Sequence, residues 1–106
     1  MKFTGIIIVF LLSWGVVAGQ SRAERLFERG DYLGALKLFQ KEVENAASGA
    51  NTDPIKARIA NCFFHLNDVV RAGQMYKSLN QDILSGEDLL FYAITLLRSG
   101  EYDKAA

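Results

Sequence analysis

The side chains that could do chemistry are few and scattered. Cys62 is the only cysteine and His65 the only histidine, three residues apart on one stretch. A thiolate beside an imidazole is a nucleophilic arrangement, and the same two groups could begin a zinc site. Neither chemistry is expected. Cys62 falls among apolar neighbours on a helical pattern, which reads as a structural thiol. The pair has no third ligand nearby, so no metal site is expected. The acidic residues spread along faces that read as solvated, with no pocket to pair them. Ser85 opens Ser85-Gly86-Glu87-Asp88, a capping box at a helix start. No glycine-rich phosphate loop follows a strand. The sequence therefore predicts no enzyme and no cofactor.

Bulk properties exclude more. The chain has 106 residues, enough for one small domain, and carries 12 basic and 12 acidic residues. No basic surplus points to nucleic acid or an anionic membrane. A single cysteine forbids an internal disulfide. Met1-Lys2 is followed by an uncharged apolar run to Ala18, then Gly19 and polar Gln20-Ser21-Arg22. This is the layout of a secretory signal peptide, with cleavage expected between Gly19 and Gln20 or one residue earlier. The rival reading is an uncleaved anchor, but the run is shorter than the roughly 20 apolar residues a spanning helix needs. Export is expected. Membrane contact would then come only by association or through a retained signal segment.

The elements behind these residues are helices. Ala23, Leu26 and Phe27 form a stripe within Gln20 to Arg29, which Gly30 ends. Asp31 caps a second helix, about Tyr32 to Ala46. Ser48 to Thr52 is a loop. Asp53 as cap and Pro54 in the first turn start a third helix, to Leu66. Asn67-Asp68 repeats the logic of Gly30-Asp31 before a fourth helix, about Val69 to Leu79, weakened by Gly73. A fifth, capped by Ser85, runs to about Ser99 and is expected to end at Gly100, with a sixth starting at Tyr102. The fold class is all-α.

The turns recur. Gly30-Asp31-Tyr32, Asn67-Asp68-Val69 and Gly100-Glu101-Tyr102 are spaced by 37 and 33 residues, each with an alanine five places past the first residue. Small residues also recur seven places before each anchor, at Ala23, Ala60 and Ala93, and large ones four before, at Leu26, Phe63 and Leu96. A period in the thirties reads as stacked helical hairpins. In this pattern the chain resembles the tetratricopeptide repeat family. The resemblance implies, after the signal segment at 1–19, a solenoid of about two and a half repeats, near 20–50, 51–84 and a truncated 85–106. Departures are Glu42 and Leu79 at the family's late alanine, and a missing inter-repeat proline. A second resemblance rests on Ala60 to Asp68, Tyr92-Ala93 and Gly100 to Ala105. It is to bacterial envelope proteins in which such repeats precede a β-propeller and an OmpA-type domain, linked to type IX secretion and gliding. This second resemblance implies the periplasm or outer membrane as the site. A last helix one turn long fits a segment of a longer protein.

The family resemblance implies an interaction scaffold. First helices line a concave groove, here with Glu24, Phe27 and Glu28, then Arg58, Asn61, Phe64 and His65, then Leu90, Phe91, Ile94, Leu97 and Arg98. Arg58 and Asn61 would hold a peptide backbone or carboxylate. Taken singly, Phe64, Phe91, Ile94 and Leu97 read first as packing between repeats and second as groove contacts. The family's carboxylate clamp is not expected, because Glu24 and Glu87 stand where it wants an amide and a lysine. The expected partner is a protein or peptide, with envelope secretion or motility components as the narrower reading. Alternatives are a non-catalytic docking or stability module of a larger secreted enzyme or receptor, and a small secreted helical-bundle protein.

Overall fold

The computed structural model describes residues 21–105, with side chains through residue 100. The expected signal segment lies outside the described residues. So do the side chains of Tyr102 and Ala105. The described residues form helices α1 (Arg22–Glu28), α2 (Tyr32–Glu44), α3 (Asp53–His65), α4 (Val69–Ser78) and α5 (Gly86–Ala105), with a 3-10 turn at Gln81–Ile83 before α5. No strand occurs among them. Each helix packs on the next in sequence, and α3 also reaches α5.

The two inner turns share one chemistry. Gly30 and Asn67 take positive φ values of 85° and 63°. That left-handed residue lets the chain fold back to close the helix end. Gly30 N–H donates to Phe27 O at 3.0 Å and Asp31 N–H to Leu26 O at 2.9 Å. Asn67 and Asp68 make the same two bonds to Phe64 O and Phe63 O, at 3.0 and 2.9 Å. The acidic residue then caps the next helix. Asp31 Oδ1 accepts from Gly34 N–H at 2.9 Å, and Asp68 Oδ1 from Arg71 N–H at 3.2 Å. Two adjacent residues thus close one helix and open the next, which fixes two antiparallel hairpins.

Small residues let the paired helices approach. Ala23, Ala35, Ala60 and Ala72 are all at most 1% exposed. Around them pack Leu36, Phe39, Ile59, Cys62, Phe63 and Tyr76. Each large apolar side chain buried there contributes roughly 1.5–3 kcal/mol. Tyr76 and Tyr92 stack at 5.2 Å, tying α4 to α5.

Four expectations need correction. Gly100 does not end α5. It keeps a helical backbone, and the helix continues to Ala105, so no sixth helix starts at Tyr102. Glycine permits a left-handed stop without requiring one, and continuing keeps every backbone hydrogen bond. Ala93 and Leu96, expected against a second helix, are exposed because no helix of the described chain covers that face. Leu66, expected as the last residue of the third helix, lies just past its end and is 39% exposed. The cap of α3 is Thr52 rather than Asp53. Asn51 Oδ1 already accepts from Asp53 N–H at 3.2 Å, so the chain has turned one residue early. The Ser85 box forms: its Oγ accepts from Asp88 N–H at 3.1 Å, and Asp88 Oδ2 accepts from Ser85 N–H at 3.0 Å.

Candidate functional site

The helices α1, α3 and α5 bring one row of rings together. Gly30 and Asp31 turn the chain so that Tyr32, at the start of α2, returns beside Phe27 of α1, 5.2 Å away and edge-on. Tyr32 stacks on the His65 imidazole at 4.3 Å with planes 10° apart. Phe27, Phe64 and Phe91 all meet that imidazole edge-on, at 5.6, 5.3 and 5.0 Å. Phe64 stacks on Phe91 at 4.6 Å, carrying the row from α3 to α5. Phe27, Tyr32, His65, Phe91 and Ile94 stay half-buried, whereas Phe64 is buried. Burial lowers the His65 pKa from its ordinary value; Glu87 opposes the shift and Arg58 adds to it. The ring is therefore more often neutral than a solvated histidine at the same pH.

The polar groups expected to bind peptide are engaged within the protein. Arg58 Nε and Nη2 donate to the Glu24 carboxylate at 2.9 and 2.7 Å, a two-pronged pair between α1 and α3. The same guanidinium lies 4.1 Å over the Phe27 ring. Asn61, expected in the groove, is instead 1% exposed. Its Nδ2 donates to Asp88 Oδ1 at 2.7 Å, and its Oδ1 accepts from the Tyr76 hydroxyl at 2.5 Å. Burial, with Asp88 second, pushes the Tyr76 phenol well up. Tyr76 is thus a permanent donor, which fixes the Asn61 amide with its oxygen toward Tyr76 and its nitrogen toward the carboxylate. This network joins α3, α4 and α5, and among the described residues no buried side-chain polar atom lacks a partner.

Arg98 remains at the rim. It is exposed, lies 5.4 Å over Phe64, and donates to Asn67 Oδ1 at a long 3.4 Å. Of the groove residues read from the sequence, the structure brings Phe27, His65, Phe91, Ile94 and Arg98 to an accessible face. Phe64 packs beneath it, Arg58 is paired, and Asn61 is removed to the core. Tyr32 was missed. Its position two past the turn reads as second-helix core, and only the fold shows it stacking on His65.

The thiol lies apart from the aromatic row. Cys62 is fully buried, and burial pushes its thiol up to about 12, with Arg58 lowering it and Glu24 raising it. It stays protonated and unreactive at neutral pH. Among the described residues no group of three or more His, Cys, Asp or Glu side chains could hold a metal ion. No helix among them is long and apolar enough to cross a membrane. An open cleft of about 620 Å³ lies between α1 and α2, lined by Arg22, Leu26, Asp31, Lys37 and Lys41 among others. Its lining carries three basic and two acidic side chains, Glu44 included. Comparison with protein-family models, characterised proteins and solved structures finds no match.

Proposed function

We propose that this chain is an exported, non-catalytic scaffold of the tetratricopeptide-repeat kind, whose α1–α3–α5 face receives a segment of a protein partner. The aromatic row carries this reading. Phe27, Tyr32, His65 and Phe91 touch one another in sequence yet remain half-exposed on rigid helices. Such rings supply contact area at little entropic cost, and aromatic anchors dominate binding surfaces. Ile94 extends the row and Arg98 offers the rim a cation. The repeated turn and the four buried alanines support the repeat reading. The apolar run over residues 1–19 supports export, and with it a periplasmic or outer-membrane site of action. Envelope secretion or motility components are the narrower partner class, on the second resemblance alone.

The test is site-specific photo-crosslinking in the native host, with benzoylphenylalanine at position 91 and, as control, at Leu33, which is 53% exposed on α2. A defined adduct at 91 that is absent at 33, and lost on adding His65→Ala, is the expected result. Equal labelling at both positions would overturn the groove. Mass spectrometry of the mature protein checks export separately, with a new N-terminus at Gln20 or Gly19 expected.

A further inference from the structure

We propose that α5 carries a second interaction surface, adjoining that groove at Arg98, which fits another copy of this chain across a two-fold axis at Ala93. The buried side of α5 is formed by Thr95, 0% exposed, and Asp88, 8% exposed. The opposite side is apolar and bare. Leu89, Leu90, Leu96 and Leu97 are 42%, 57%, 56% and 71% exposed, and Ala93 between them is exposed too. Leu89 to Leu97 is nine residues without a charge. A contiguous exposed patch of this kind marks an interaction site.

The spacing says what covers it. The leucines stand three and four positions before Ala93 and three and four after it. The pattern reads the same in both directions about Ala93. On a helix, offsets of three and four share a face. Two such helices packed antiparallel, with the axis at Ala93, bring Leu90 onto Leu97 of the other copy and Leu89 onto its Leu96. This is the self-complementarity an isologous dimer needs. Small Ala93 at the centre lets the axes approach toward the short end of the usual 8–10 Å range. The same closeness is seen inside the chain, where Ala23 and Ala60, the equivalents of Ala93, are buried against α2 and α4. The flanking charges agree. Glu87 and Arg98 lie on one flank of α5, six positions before Ala93 and five after it. The two-fold brings Glu87 of one copy level with Arg98 of the other, with opposite signs. The contact spans few helical turns, so the dimer is weak and concentration-dependent.

The experiment is disulfide trapping in the full chain. Ala93→Cys places two thiols across the axis, and copper–phenanthroline oxidises them to one disulfide. Cys62 is buried and stays out of the reaction. Leu33→Cys, also exposed and on α2, measures random collision and any association through the N-terminal apolar run. The expected result is a dimer that forms at least about tenfold faster from Ala93→Cys. Adding Leu97→Glu should remove that excess, and further adding Leu90→Lys should restore it, because the two-fold puts position 90 against position 97. Both leucines are exposed, so neither change threatens folding. Trapping no faster than at Leu33→Cys overturns the proposal. Trapping that Leu90→Lys fails to restore also overturns it, and points to a different helix as the occupant.

Discussion

Helices α3 and α5 share a residue pattern offset by 33 positions and end in opposite ways. Position by position, Ala60 matches Ala93, Phe63 matches Leu96, Phe64 matches Leu97 and Asn67 matches Gly100. In α3 the small residue is buried, α2 and α4 lie against its two flanks, and Asn67 turns left-handed to stop the helix. In α5 the small residue is exposed, and the helix runs through Gly100 to Ala105. Glycine is the better left-handed residue of the two, yet asparagine makes the stop. Turn chemistry offers a left-handed residue, and the packing of the returning helix decides whether it is taken. Asn67 is held by α4, which returns onto Ala60 and brings Tyr76 to Asn61. Gly100 has no such helix behind it among the described residues.

The largest test of this contrast is Asn61. Replacing it with leucine keeps the heavy-atom count and branching but strands the Asp88 carboxylate and the Tyr76 hydroxyl in the core. Removing one partner of a buried, charged hydrogen bond costs about 3 kcal/mol. Urea unfolding of Asn61→Leu should show a loss of that size. A loss below about 1 kcal/mol would mean water already satisfies Asp88, and that α3 is not held to α4 and α5 as described.

The turns give a paired test with opposite signs. Gly30→Ala puts a side chain at φ 85° and should destabilise by about 1 kcal/mol. Gly100→Ala sits in a helix with nothing within 4 Å of the new methyl, and should stabilise by about 0.5–1 kcal/mol. Equal signs would erase the distinction between the two ends. Gly73→Ala sharpens it from inside α4. The added carbon would lie 3.5 Å from the Thr95 methyl, an ordinary contact. The gain should be up to about 1 kcal/mol, made at the α4–α5 seam.

Much of the fold was legible because its signals are local. Gly30-Asp31 and Asn67-Asp68 state a stop and a cap within two residues, and the alanines repeat at fixed distances from them. The Ser85 box is equally short-range. The site was less legible because its partners are distant. Asn61 looks like a groove amide until Tyr76 and Asp88, 15 and 27 residues on, close over it. Arg58 looks free until Glu24, 34 residues back, takes both its prongs. The spacing of that pair is close to one repeat, so a search for opposite charges one period apart would have found it. The run through Gly100 was not legible, since an absent packing partner leaves no mark in the residues that would have met it.

The smallest effect separates the helices by charge. The same repeat position holds His65 in α3 and Arg98 in α5. Arg98 is charged at every accessible pH and contributes no slope near neutrality. His65 lies among four rings, and its folded pKa is lowered below 6.5, first by burial and then by Arg58, against the pull of Glu87. A lowered pKa means the unfolded chain takes the proton more readily. Above the unfolded value of about 6.5 both states are neutral and the full stability is present. As pH falls from there through the folded value, the unfolded state is protonated first and stability declines. The decline stops once both states carry the proton. Urea midpoints between pH 7.5 and 5 should therefore fall for the wild type and stay flatter in His65→Phe, which keeps a ring against Tyr32 but binds no proton. Parallel curves for the two proteins would show that burial of His65 does not govern its ionisation.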